Sequence, residues 1–264
     1  MFARAVLSAL FALFGCAALA APQTVFLEEL TWTELRDEIR AGTTTIIVPV
    51  GGTEQSGPAI ALGKHNTRVK LLSARIALAL GNTLVAPVVA YVPEGSINPP
   101  TAHMRFPGTI TVPEATFEQV IESAARSFGA HGFRYIVLLG DHGDYQKGLQ
   151  AVAERLNRQW AATPVRALAV PEYYRAAQDS FAQALRKRGF RDEEIGVHAG
   201  LADTALTLAL EPQLVRADRL QQPFGAADGV KGDPRRATAE LGQVGVETII
   251  TRTVDAIRKA TARH

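Results

Sequence analysis

The stretch Thr43–Val50 reads TTTIIVPV and runs directly into Gly51-Gly52. Its β-branched, unbroken apolar character is that of a strand buried on both faces, and the glycine pair marks the loop that follows. Downstream, Thr67–Leu80 carries Val69, Leu72, Ile76 and Leu80 at helical spacing. Thr83–Val92 predicts a second strand, interrupted by Pro87. Pro113–Phe128 predicts a helix with proline in its first turn and Phe117, Val120, Ile121 and Ala124 on one face. Arg134–Leu139 predicts a third strand, Lys147–Trp160 a helix, Val165–Val170 a fourth strand and Tyr174–Arg188 another helix. A last amphipathic helix is predicted over Arg235–Thr261. Strands that alternate with helices predict an α/β fold, a three-layer sandwich with a mostly parallel central sheet. Ligand sites in such folds lie at the carboxyl ends of the strands, so the loops after Val50, Val92, Leu139 and Val170 are the ones to inspect.

The composition agrees with one folded domain. The chain has 264 residues, 47% hydrophobic and 20% charged, which excludes a disordered chain and a membrane bundle. Its 28 basic and 26 acidic side chains leave a net charge of +2, with no basic block to recruit nucleic acid. The first twenty residues carry one positive charge at Arg4, then an apolar run, then Ala18-Leu19-Ala20. They are expected to be a signal peptide (1–20) preceding a single domain over 21–264, secreted or periplasmic. The run of about 16 residues is shorter than the roughly 20 a stable membrane span needs. Leu13-Phe14-Gly15-Cys16 leaves a lipoprotein anchored through Cys16 as the alternative. Cys16 is the sole cysteine, so a chain cleaved after Ala20 has no disulfide and no thiol nucleophile. Trp32 and Trp160 read as packing residues.

Polar residues gather in the predicted sheet-end loops. Glu54 follows the first strand, with Ser56 and His65 nearby; His142 and Asp144 follow the third strand; His198 and Asp203 sit at the start of a later apolar helical stretch. Carboxylates and imidazoles at such loops are the ligands of a borderline divalent metal. No H-E-x-x-H, G-x-S-x-G or P-loop motif is present, which excludes a serine hydrolase of the usual type and leaves a metal hydrolase.

Five segments in register resemble the creatininase (creatinine amidohydrolase) family: Pro49–Pro58 with Leu62–His65; Phe106-Pro107-Gly108-Thr109, preceded by His103; Gly140–Tyr145; His198–Ala205; and Gly229–Thr238. The resemblance implies an α/β sandwich that assembles into homo-oligomers, and a metal-dependent amidohydrolase with a two-metal centre. Carried over by position, Glu54 and His142 match metal ligands, and Asp203 matches an acidic family position. His198 matches a residue of proton transfer, and Asp144 an acidic position of creatininase itself. Two departures stand out: Ser56 replaces a ligating histidine, and His65 replaces the metal-bridging aspartate. A carboxylate has two oxygens to share between cations, whereas a neutral imidazole offers one lone pair.

The expected centre is therefore one divalent ion, Zn²⁺ in the first place with Mn²⁺ or Fe²⁺ as alternatives, held by Glu54, His65, His142 and Asp203. Ser56 and His103 are expected beside the substrate. The expected reaction is hydrolysis of a C–N bond in a small cyclic or linear amide, with Asp144 or Asp203 taking the proton and His198 delivering it to the leaving nitrogen. Two alternatives stay open: a metal-dependent lactonase or peptidase, and a family member that has lost catalysis and serves as a binding or scaffold protein.

Overall fold

The computed structural model describes residues 24–262, so the expected export segment and Cys16 lie outside the described residues. In chain order, α1 (Trp32–Ala41) leads to β1 (Thr45–Val50), α2 (Lys64–Leu80), β2 (Thr83–Val85) and α3 (Glu114–Ala130). These are followed by β3 (Tyr135–Gly140), α4 (Gln146–Gln159) and β4 (Arg166–Ala169). After them come α5 (Glu172–Arg175), a π-helical turn over Ala176–Ser180, α6 (Phe181–Arg186), α7 (Asp192–Ile195), α8 (Leu201–Leu210) and the long α9 (Ala239–Thr261). Among the described residues, no helix is long and apolar enough to cross a membrane.

The four strands form one parallel sheet in the order β2-β1-β3-β4. All of β1 is buried, and its residues alternate between two cores. Ile46 and Val48 join Phe117 and Ile121 of α3 and Leu149, Val152 and Leu156 of α4. Ile47 joins Val69, Leu72 and Ile76 of α2, Leu201 and Ala205 of α8, and Val246 and Ile249 of α9. Helices thus cover both faces, and the layers are those of the expected α/β sandwich.

The chain changes direction around β1. Helix α2 carries it to β2 over one face, and α3 returns it over the other face, past β1 to β3. The loops leaving β1 and β3 therefore diverge at the carboxyl end of the sheet and open a crevice there, as at the switch point of other α/β sheets.

Four local expectations change. The strand predicted over Thr83–Val92 pairs as a ladder only at Thr83–Val85: the Ala86 N–H still donates to the Ile47 carbonyl at 2.8 Å, but Pro49 of β1 has no N–H to return the next bond. Beyond Pro87 the chain stays beside β1 through Val89, whose N–H donates to the Pro49 carbonyl at 2.9 Å, and reaches Glu94 in the crevice. The helix predicted over Tyr174–Arg188 begins earlier and is interrupted by the π-helical turn. The last helix starts at Ala239, where the Thr238 hydroxyl caps it by accepting the Leu241 N–H at 3.2 Å; Pro234–Arg236 forms a separate 3₁₀ turn. Trp32 is not a packing residue: at the first position of α1 it is 74% exposed.

Candidate metal centre

Glu54 stands four residues beyond β1, with its side chain fully buried. Its two oxygens face different surroundings. Oε1 lies 2.6 Å from His65 Nε2, 3.5 Å from Lys64 Nζ and 3.6 Å from His198 Nδ1. Oε2 lies 3.3 Å from a ring nitrogen of both His103 and His142 and, among the described residues, makes no hydrogen bond. Burial pushes the Glu54 carboxyl up, but His65 and Lys64 outweigh it and hold the group well below the usual carboxylate range.

On the Oε1 side, the start of α2 supplies a row of basic groups. Lys64, His65 and Arg68 are all buried, and the four-residue spacing places Lys64 and Arg68 on one face of the helix. Lys64 Nζ donates to Asp203 Oδ2 at 2.9 Å, and Arg68 donates to Asp203 Oδ1 at 2.8 Å and to Asp141 Oδ2 at 2.7 Å. His65 Nδ1 lies 2.5 Å from Asp141 Oδ2, and the Tyr173 hydroxyl donates to Asp141 Oδ1 at 2.7 Å. Burial raises the Asp203 carboxyl, but Lys64 and Arg68 reverse the effect and hold it far below its ordinary range. Asp141 is likewise raised by burial and lowered further by Arg68 and His65.

The Oε2 side has a different character. Glu54, Glu94, His103 and His142 each offer one ligand atom, and these atoms all lie within 4.8 Å of one another. Neither oxygen of the buried Glu94 carboxylate has a hydrogen-bond partner among the described residues. Burial and the neighbouring Glu54 push Glu94 up to about 9, and burial pushes His142 down to about 4 and lowers His103. Leaving a buried carboxylate unpaired costs several kcal/mol in order of magnitude, so such a group calls for a proton or a cation. The charges point the same way. With Glu94 ionised, as a cation beside it would hold it, Glu54, Glu94, Asp141 and Asp203 are four carboxylates against the two cations Lys64 and Arg68, a deficit of two before any imidazole proton is counted. Two carboxylates and two imidazoles fit a divalent ion such as zinc, manganese or iron.

Of the six residues expected to bind metal or substrate, Glu54, His103 and His142 meet in this cluster. His65 and Asp203, expected as ligands, lie in the ion-pair network instead. Ser56 is buried, and its hydroxyl has no hydrogen-bond partner among the described residues. His198 donates from Nε2 to the Gln55 carbonyl at 2.9 Å; burial and the nearby Lys64 push it down to about 3. Asp144 is exposed, two residues beyond His142, and its backbone N–H reaches His142 Nδ1 at 3.4 Å. Glu94 is the residue that sequence reasoning missed. An acid directly after Val92-Pro93, in one of the four sheet-end loops, was the signal that could have found it.

The creatininase family model, described as creatinine amidohydrolase, matches residues 28–257. The chain belongs to the creatininase family. A creatinine amidohydrolase from Pseudomonas putida is 27% identical over 258 residues, covering 90% of this chain and 97% of that protein. A 3-dehydro-scyllo-inosose hydrolase from Thermotoga maritima is 27% identical over 208 residues, 75% of this chain and 60% of that protein. A solved mutant creatininase described as of Zn-Zn type superposes with a TM-score of 0.75 at 27% identity, over 91% of this chain and 99% of that one. This creatininase-family chain is thus a hydrolase, and the zinc reported for a relative agrees with a Glu/His cluster suited to a divalent metal.

Proposed function

We propose that this protein hydrolyses a C–N bond of a small cyclic or linear amide, using one divalent ion, Zn²⁺ foremost, held by Glu54, Glu94, His103 and His142. The observation that carries this reading is the set of buried, unpartnered carboxylate oxygens on Glu54 and Glu94 facing two imidazoles. Glu94 and His103 take the ligand places first expected of His65 and Asp203, because those two are already held by Glu54, Asp141, Lys64 and Arg68. A divalent ion bound there supplies Lewis acidity, which makes water a nucleophile near neutral pH and stabilises charge developing on a carbonyl oxygen.

The chain's own residues carry the protons. Asp144, exposed beside the cluster, takes the proton of the attacking water and returns it to the leaving nitrogen as the C–N bond breaks. His198 is better suited to positioning than to acid catalysis: an imidazole pushed down to about 3 is neutral at working pH, and its Nε2–H is occupied by the Gln55 carbonyl. The Gln55 backbone carbonyl thus orients the His198 ring, and the side-chain nitrogen of the same residue lies 3.0 Å from His103 Nδ1. The apolar 1–20 segment supports export to the periplasm or medium, and the family relationship supports a homo-oligomer.

The test is turnover of a panel of cyclic amides, linear amides, lactones and short peptides by protein reconstituted with Zn²⁺, Mn²⁺ or Fe²⁺. Amide hydrolysis that disappears in His142→Ala supports the reading. Turnover confined to lactones or peptides would replace the substrate class, and binding without turnover would replace catalysis with a binding function.

A further inference from the structure

Glu54 divides the crevice into two electrostatic halves, and a fixed organic cation occupies one of them. The Lys64 ammonium lies 3.5 Å from Glu54 Oε1 and 2.9 Å from Asp203 Oδ2, with a side chain wholly removed from solvent. A carboxylate can serve two cations through its two oxygens. In this chain one of those oxygens is taken by Lys64 and His65, and the other faces the imidazoles of His103 and His142 unpartnered.

We propose that Lys64 is a built-in counter-cation of the metal centre: with Asp203 it closes the Oε1 side of Glu54 and limits the centre to one exogenous divalent ion, bound on the Oε2 side. The inference rests on the metal-centre reading above and adds a residue that sets its stoichiometry. The charge balance supports it independently of ligand geometry. With Glu94 ionised by the bound ion and the imidazoles counted as neutral ligands, the two carboxylates in excess of Lys64 and Arg68 are neutralised by one divalent ion, whereas a second would leave the buried site with a surplus of positive charge. Lys64 also holds Asp203, which accepts the Ala199 N–H at 2.8 Å, so the ammonium ties the start of α2 to the loop that carries His198.

The experiment is metal content per chain, by elemental analysis and by calorimetric titration with Zn²⁺, on the wild type, Lys64→Met, Lys64→Gln and Glu94→Gln. Folding of each is checked by circular dichroism. The wild type should bind one equivalent. A folded Lys64 variant should bind a second, because a divalent ion can then take the ammonium's place between Glu54 Oε1 and Asp203 Oδ2, against the remaining contacts of those oxygens with His65 and the Ala199 N–H, and Glu94→Gln should weaken the first equivalent at least tenfold. Two equivalents in the wild type would overturn the inference whether or not the variants fold. So would one equivalent of unchanged affinity in a folded Lys64 variant. No metal in the wild type together with one equivalent in a Lys64 variant would overturn the inferred stoichiometry and the metal-centre reading together. No metal in any of the four proteins would sink both.

Discussion

Gly52 and Glu94 share one small volume: a Cβ on Gly52 would stand 2.8 Å from Glu94 Oε1. Gly52 also has φ +148°, a backbone conformation that L side chains rarely adopt. The absent side chain leaves room for a carboxylate that approaches from the far side of the crevice. Gly52→Ala should displace Glu94 and reduce Zn²⁺ affinity by about tenfold or more, with a backbone cost of about 1–3 kcal/mol. Titration calorimetry and thermal denaturation, run together, separate the two effects. An unchanged affinity would show that Glu94 does not hold the ion.

Glu94 and Asp203 are both buried acids, yet their neutral variants should behave in opposite ways. Glu94→Gln removes a ligand and should lower metal affinity by more than about 10-fold. Asp203→Asn should leave the first equivalent bound and instead destabilise the fold by about 3–5 kcal/mol, because Lys64 and Arg68 lose the charge that pairs them. Loss of the metal in Asp203→Asn with Glu94→Gln unaffected would restore the ligand set first expected from the sequence.

The same pairing fixes an acid dependence. Asp203 is held well below its ordinary value of 3.8, so the unfolded chain binds this proton more readily than the folded one. Its contribution to stability is therefore complete above about pH 4 and is lost as the pH falls through the depressed native value. The gap in unfolding free energy between the wild type and Asp203→Asn should narrow below pH 4 and stay constant between pH 5 and 7. Denaturant titrations across that range provide the check.

In the proposed reaction Asp144 transfers the proton and His198 positions, and kinetics distinguish the two roles. Asp144→Asn should lower kcat by about 10²–10⁴-fold while metal content is unchanged, the range typical of a lost general acid–base. His198→Asn should lower activity less and should not remove a pKa from the pH–rate profile. An acidic limb that vanishes only in the His198 variant would reverse the assignment.

Much of the architecture was legible because buried parallel strands and amphipathic helices have periodic signatures. Thr43–Val50 has no polar face, so it could only be a central strand, and Val69, Leu72 and Ile76 could only line one side of a helix. The π-helical turn at Ala176–Ser180 was not legible, since its apolar spacing suits an unbroken helix; the packing of Ala176, Ala177 and Phe181 into the core accompanies the change. Trp32 misled because a large aromatic outside the motifs reads as a packing residue, whereas at the first position of α1 it is exposed.

The amino-acid order by itself determined the α/β class, the sheet-end position of the site, and the presence there of Glu54, His103, His142, Asp144 and His198. It also showed that the chain departs from its family at Ser56 and His65. Only the tertiary structure decided which carboxylates pair with internal cations and which are left unpartnered beside imidazoles. Glu94 and Asp203 are both acids in or just after loops, and no periodicity states which way either one faces. The reversal of the chain around β1 brings Glu94 to His103 and His142, while the first turns of α2 carry Lys64 and Arg68 to Asp203. Charge pairing across the crevice is a long-range relation, set by where the helices pack and not by neighbours in the chain.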